Sequence, residues 1–407
     1  MITVEQAERI ILEQVKNFGV EIIPFELALG RVLAEDIKAD RDMPPFNRVT
    51  MDGIAVNYKA IEKGIRTFYI KSTQAAGDIP GNIEEHNECI EIMTGAVLPP
   101  STDTIIRYED LELREGLATL VTDNVKRGQN IHYKGKDKKR NDLLALIGQL
   151  VTPAILGLVA SVGETELRVK KMPRVIIVSS GDELVDISET PSPYQIRKSN
   201  NYTVKAVLKQ YNIDAELRHL PDNFEEVKKQ LQTCLQNYDV ILLSGGISMG
   251  KFDFIPQALA ELRVDNLFHN VQQRPGKPFW FGKYNDDVLV FAFPGNPVAT
   301  FMCLYRYFLP WLHNIMGIKL KAPLYALLNN NLSFAAPVKY FLQVRLNYNE
   351  QCQLIATPLE GNGSGDFANL TDTDAFMELP AEINEFKQGE VFKVWLFNYA
   401  IFERTEL

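Results

Sequence analysis

Hydrophobic positions along this chain change their period several times, and each change marks a change of predicted structure. Val4, Ala7, Ile10, Ile11 and Val15 recur at helical spacing behind Thr3 and Gln6, a capping-box pair. The chain therefore opens on an amphipathic helix of about four turns, which Gly19 ends. Short apolar pieces at 22–27 and 32–37 lead to Pro44 and Pro45, a stiff connector. From Phe46 to Asp137 the runs shorten and turn β-like, at 67–71, 89–93, 104–108 and 118–122, with Gly, Pro and Asn between them. An apolar helix at 151–162 follows, so this mostly β stretch reads as an insertion within a helical linker region.

A second regime begins at Val175. Strand-like runs at 175–178, 215–220, 240–243 and 288–293 alternate with helical patterns at 201–210, 223–235 and 298–318. Such alternation predicts right-handed crossovers and a parallel, doubly wound sheet. After Lys321 the helical pattern stops, and runs at 326–334, 340–346, 353–357 and 391–397 predict a small β domain. At 407 residues the chain has room for about two to four domains. The expected division is 1–45 with 138–170 as a helical linker domain, 46–137 as the inserted β domain, 171–320 as the α/β module and 321–407 as the C-terminal β domain.

A formal charge of −9 argues against a nucleic-acid surface. Cys89, Cys234, Cys303 and Cys352 have neither CxxC nor disulfide-framework spacing, and the five histidines show no metal-ligand spacing. With no signal-peptide or membrane-span pattern, the expected compartment is the reducing cytoplasm.

The candidate chemistry gathers at turns. The apolar run 240–243 stops at Ser244, Gly245 and Gly246, a helix is expected from Asp253, and paired glycines let backbone N–H groups approach an oxyanion. A tight turn alone also explains them. Asp52, Glu183, Asp222 and Asp253 each sit beside a turn, the last three at one edge of the expected sheet. Carboxylates facing a phosphate-accepting loop call for a hard cation, so Mg²⁺ is expected. Taken singly, these positions equally fit turn aspartates and helix caps. Arg274-Pro275-Gly276-Lys277-Pro278 presents two cations on a rigid turn, and Gly361 to Gly365 forms a loop rich in N–H donors. The two suit a small tetrahedral oxyanion or, equally, a surface turn and a hairpin loop.

In this order, the segments PPFNRVTMDGIAV, MTGAVLP, SSGDEL, SGGISMGKFDF, PGKP, FPGNPVAT and GNGSGDF resemble the molybdopterin molybdenumtransferase family, the MoeA proteins and the E-type domain of gephyrin. The resemblance runs from Pro44 to Phe367. It implies a multidomain α/β fold: a central doubly wound MogA/MoaB-like module, an inserted β domain, a helical linker region and a C-terminal small β-barrel. It also implies a homodimer that inserts molybdate into adenylylated molybdopterin with Mg²⁺-dependent release of AMP. Asp52, Thr94, Glu183, Asp222 and Asp253 then carry the reaction, with Asp137 a looser match, and Asp52, Glu183 and Asp253 are the metal ligands. Ser180, Gly181, Ser244, Gly245, Gly246, Ser248, Pro294, Gly295 and Asn296 face the substrate. Arg274, Pro275, Gly276, Lys277 and Ser364, with Lys339, hold molybdate.

The family's Asp-Asn-Ser-Ala before Met-Asp-Gly is here Asn47-Arg48-Val49-Thr50, and its Gly-Glu-Asp is Gly135-Lys136-Asp137. Expected protein partners are a molybdopterin adenylyltransferase and an apo-molybdoenzyme. Two competing readings are molybdopterin adenylylation itself and a non-catalytic binding or scaffold paralogue.

Overall fold

The apolar runs after Val175 assemble into one six-stranded sheet. The computed structural model describes residues 1–247, 253–318, 323–361, 363 and 365–397. Its chain forms two units, one of Met1–Ala34, Gly148–Thr152 and Leu167–Leu407, the other of Glu35–Ile147 and Pro153–Glu166. Among the described residues no helix is long and apolar enough to cross a membrane.

In the first unit, helix α1 (Val4–Leu12) is followed by the alternating elements β1 (Val175–Ser180), α2 (Ser199–Gln210), β2 (Glu216–Leu220), α3 (Phe224–Asn237), β3 (Val240–Ser244), α4 (Ile255–Glu261), β4 (Asp265–His269), β5 (Trp280–Tyr284) and β6 (Val288–Phe293). The sheet order is β2-β1-β3-β6-β5-β4. The first four strands are parallel and the last two antiparallel. Both faces are covered, which is why β1, β3 and β6 read as unbroken apolar runs. Val175 and Ile177 face α2, α1 and the helices after β6, whereas Ile176 and Val178 face α3 and α4. Burying each such side chain contributes about 1.5–3 kcal/mol.

Helix α1 has the expected capping box but ends at Leu12, earlier than its sequence pattern suggests. Only Val4, Ala7 and Ile11 are fully buried there, and Val15 is 70% exposed, so no packing sustains a longer helix. The long helix expected at 298–318 is likewise interrupted. It runs as α5 (Pro297–Cys303), a π turn (Leu304–Phe308) and α6 (Leu309–Met316), with Gly317 in the left-handed region at its end. Pro310 has no N–H to continue an α ladder, and the wider turn before it lets it start a new helical segment.

Five strands close a barrel: β7 (Leu324–Leu328), β8 (Lys339–Tyr348), β9 (Leu354–Pro358), β10 (Ala375–Leu379) and β11 (Val391–Leu396). The ring of pairings is β8-β9-β7-β11-β10-β8. Strand β10 has no counterpart in the sequence pattern. Its Ala375, Met377 and Leu379 fill the barrel while Phe376 packs against the α/β core, so no apolar–polar alternation advertises it.

A buried ion cluster fastens α1, the π turn and the barrel together. Arg306, 2% exposed, bonds Glu8 at 2.9 Å, lies 3.5 Å from Glu378 and stacks 4.3 Å from the Trp395 ring. Lys339 bonds Glu378 at 2.8 Å and also Glu5, and Trp395 Nε1 donates to Glu378 at 2.7 Å.

The second unit holds a six-stranded sheet ordered Thr104–Arg107, Gly53–Val56, Glu88–Ile92, Thr67–Gln74, Leu117–Leu120 and Leu111–Arg114, together with the helix Pro153–Ser161. Gly53 lies in a strand flanked on both sides, and a Cβ there would sit 2.7 Å from Arg107 Cα and closer still to the Ile106 carbonyl oxygen. Gly53→Ala is expected to destabilise this unit by about 3 kcal/mol or more. Exposed Gly157, on the helix with open space around it, should gain about 0.5–1 kcal/mol as Ala. Thermal unfolding of the two variants checks the contrast; similar shifts in both would refute the packing argument.

Candidate active site

The order β2-β1-β3 sends the chain away from β1 in opposite directions, and this opens a crevice beyond the carboxyl ends of the parallel strands. Four loops line that edge. After β1, Gly181 takes φ +128°, and the Glu183 carboxylate folds over it, its Oε1 2.7 Å from where a Cβ would lie. After β2, Asp222 and Asp182 exchange bonds: Asp222 N–H donates to Asp182 Oδ1 at 3.1 Å, and Asp182 N–H to Asp222 Oδ2 at 3.3 Å. Neither aspartate caps a helix, since Asn223 occupies the cap of α3 and accepts from Glu226 N–H.

After β3, Gly245 and Gly246 have φ of +90° and +67°. A Cβ on Gly246 would lie 2.6 Å from Ile255 Cδ1, so the loop can follow this path only with glycine. Gly245 N–H donates to Phe293 O at 3.2 Å, and Gly295, after β6, approaches so closely that a Cβ on it would be 3.5 Å from Gly245 Cα. Asp253 is half-buried just ahead of α4, whose cap position is Phe254 and carries no side-chain bond.

At the barrel mouth a cavity of about 540 Å³ is lined by Arg274, Pro275, Tyr340, Gln343, Gly361 and Gly363, among others. Phe334 and Tyr340 stack with centroids 4.2 Å apart. The Arg274 guanidinium lies 5.5 Å and 6.0 Å from the two rings, which hold it without neutralising it. Lys277 is exposed, and Gly276 (φ +90°) leaves no room for a Cβ against Gln273, Cys303 and Met302.

In the second unit Thr94 N–H donates to Asp52 Oδ1 at 2.6 Å. That bond, with help from the Thr94 hydroxyl, holds the Asp52 carboxyl below its ordinary range. His132 connects Asp137 Oδ1, 2.8 Å from its Nε2, with Arg48 Nη2, 3.3 Å from its Nδ1. Arg48, which departs from the family pattern, is thus linked to Asp137 through one imidazole.

Three family models match in succession: the MoeA N-terminal region (domain I and II) over residues 2–163, a probable molybdopterin binding domain over 176–314, and the MoeA C-terminal region (domain IV) over 325–397. A molybdopterin molybdenumtransferase of Synechocystis sp. is 36% identical over 395 residues, covering 96% of this chain and 99% of its own length. The chain belongs to the MoeA family of molybdopterin molybdenumtransferases. The Haemophilus influenzae relative of the same name is 30% identical over 406 residues, 98% of this chain and all of its own. Among solved structures, the molybdopterin biosynthesis moea protein from Pyrococcus horikosii matches with a TM-score of 0.79 at 27% identity, over 97% of this chain and 99% of that one.

Within this MoeA chain, the structure brings Ser180, Gly181, Glu183, Asp222, Ser244, Gly245, Gly246, Asp253, Pro294, Gly295 and Asn296 to the sheet edge and its loops. Arg274, Pro275, Gly276 and Lys277 occupy the turn at the barrel cavity. Asp52 and Thr94 pair in the second unit. Ser248 and Ser364 lie outside the described residues. Lys339 is engaged by Glu5 and Glu378 rather than turned to the cavity lining. Sequence reasoning missed Phe334 and Tyr340, which read as ordinary strand residues, and Asn200, whose amide donates to Ser244 Oγ and Gly295 O at 2.8 Å each.

It also missed His219, whose Nδ1 lies 3.1 Å from Ser179 Oγ. Burial, then nearby Lys198, lowers its pKa from the ordinary 6.5, against the opposing pull of Asp182 and Asp222. Above pH 6.5 both folded and unfolded chains keep this imidazole neutral. As pH falls below 6.5 the unfolded chain takes the proton first, so stability is lost until the folded pKa is passed. His219→Gln should therefore shrink the stability loss just below pH 6.5, as read by denaturant unfolding across that window. An NMR midpoint for His219 above 6.5 would contradict this sign.

Proposed function

We propose that this chain is a molybdopterin molybdenumtransferase, inserting molybdate into adenylylated molybdopterin and releasing AMP. The observation that carries the reading is a glycine-walled crevice at the switch point of the α/β sheet, in a chain similar from end to end to proteins of that name. In this reading the enzyme is a cytoplasmic homodimer. Cys89, Cys234, Cys303 and Cys352 are all free, in keeping with a reducing compartment. Its functional segments are 1–45 with 138–170, 46–137, 171–320 and 321–407.

The phosphates lie against the backbone of the Gly245–Gly246 loop, where positive φ and the lack of side chains let an anion come close, while Gly245 N–H stays bonded to Phe293 O. Water attacks the phosphoanhydride, the P–O bond to AMP breaks, and AMP leaves. Molybdate is held at the barrel cavity by Arg274 and Lys277, beside the dithiolene: two Mo–S bonds form, and one Mo–O bond breaks as that oxygen leaves as water with the two thiol protons, with no change of oxidation state. Asp52, oriented by Thr94, and Asp253, Glu183 and Asp222 are the acids of the reaction.

Among the described residues, no three carboxylate, His or Cys side chains form a ready-made metal cage. The expected ligands Asp52, Glu183 and Asp253 are all oxygen donors and suit Mg²⁺, which takes one or two carboxylates and completes its shell with phosphate oxygens and water. When bound, it offsets charge developing on the pyrophosphate.

Wild-type protein given adenylylated molybdopterin and Mg²⁺ should release AMP only when molybdate is present, and Asp253→Ala should reduce that rate at least about 100-fold. Substrate binding without AMP release would mean a non-catalytic paralogue, and consumption of ATP with free molybdopterin would mean an adenylyltransferase. Arg274→Lys should raise the molybdate concentration for half-maximal AMP release about tenfold, because a lysine has no planar face to lie against Phe334 and Tyr340. An unchanged molybdate dependence in that variant would remove Arg274 from the oxyanion site.

A further inference from the structure

In the last pleat row on the α2 face of the sheet, three of the four parallel strands carry polar residues where the rows below are apolar. Ser179 of β1 pairs in register with His219 of β2 and Ser244 of β3, and Ser244 with Phe293 of β6. Two consecutive asparagines in the first turn of α2 cover this row. Asn201 donates to Ser179 Oγ at 3.0 Å, and Ser179 in turn contacts His219 Nδ1. Asn200 donates to Ser244 Oγ at 2.8 Å and Gly295 O at 2.8 Å, with Thr300 Oγ1 at 3.3 Å. Thr300 itself donates to Pro294 O at 2.5 Å. The pair therefore ties together the carboxyl ends of all four parallel strands.

Asn201 is 3% exposed and its Oδ1 has no partner among the described residues. An apolar residue would escape that desolvation cost, so the amide is kept for what its NH₂ group holds.

Resting on the reading of the crevice as the site of adenylylated molybdopterin, we infer that Asn200 is a positioning residue for the phosphate-bearing end of that substrate. Its one amide fastens the Gly245–Gly246 loop to the Pro294–Asn296 loop. Both walls lack side chains where Gly245 and Gly295 face each other, so beyond the backbone bond from Gly245 N–H to Phe293 O at 3.2 Å no side-chain packing between these two glycines fixes their spacing. The asparagine does so from beneath, without itself belonging to either wall. Cutting this brace should let the loops part and weaken binding of the substrate more than it slows the bound complex.

The test compares wild type with Asn200→Ala and Thr300→Val. The second variant removes the buried hydroxyl that supports the same loop while keeping its shape. In steady-state AMP release, Asn200→Ala should raise KM for adenylylated molybdopterin about tenfold and change kcat less than about threefold, with Thr300→Val intermediate. Amide hydrogen exchange at Gly245, read without substrate, should quicken in both. Since Thr300→Val conserves volume, it keeps the test open if Asn200→Ala does not fold. Combining the two should cost no more than Asn200→Ala alone, because both act through one contact network. A KM within twofold of wild type in the folded variants, or Gly245 exchange unchanged, would overturn the role of Asn200. Wild type that fails to bind adenylylated molybdopterin would overturn the crevice reading, and this inference with it.

Discussion

The buried guanidinium of Arg306 is the constraint on which most of the first unit depends. A charge this deep is tolerable only with partners held in place, and its partners come from distant parts of the chain: Glu8 on α1, Glu378 on β10 and the Trp395 ring on β11. Pairing this one charge therefore draws the N-terminal helix and two barrel strands against the helix that follows the sheet. Losing one acidic partner would leave an uncompensated charge, at a cost of about 3–5 kcal/mol. The π turn matters here because it carries Arg306 itself. Lys339 extends the cluster to β8, the strand whose next residue, Tyr340, stacks with Phe334 beneath Arg274. The electrostatic anchor and the cavity beside Arg274 thus share a strand.

The crevice is governed by a different constraint, the absence of side chains. Gly246 has no space for a Cβ beside Ile255, and Gly245 and Gly295 meet backbone to backbone. That absence leaves the loop backbone open to close approach and removes the side-chain packing that would otherwise hold the loops. Rigidity is restored by hydrogen bonds from the start of α2. Polar groups in the top pleat row do the work that apolar contacts do in the rows below.

Much of this was legible in the sequence wherever a local signal existed. The parallel sheet followed from apolar β-branched runs alternating with helical patterns, and the crevice loops followed from glycines placed directly after those runs. Asp222 was legible as an acid beside a turn, but not the reciprocal bonds that pair it with Asp182. Strand β10 was hidden because its two faces are both buried. The engagement of Lys339 was hidden for another reason: Glu5 is 334 residues away in sequence and Glu378 is 39, and neither leaves a mark near Lys339. Asn200 and Asn201 looked like the polar start of a helix. Their role depends on which strands lie under them, and only the register of the sheet supplies that.

Closure of the C-terminal barrel separates two jobs that many binding domains combine. Each of its five strands is paired on both sides, so the barrel has no edge to fray and no strand whose pairing depends on the loops at its mouth. The cavity by Arg274 is lined in part by the glycine-rich loop between β9 and β10. Substitutions in that loop can reshape the anion's surroundings without loosening the fold. On the reading that this cavity holds an oxyanion, the choice of anion can change through that loop while the closed ring of strand pairings stays intact.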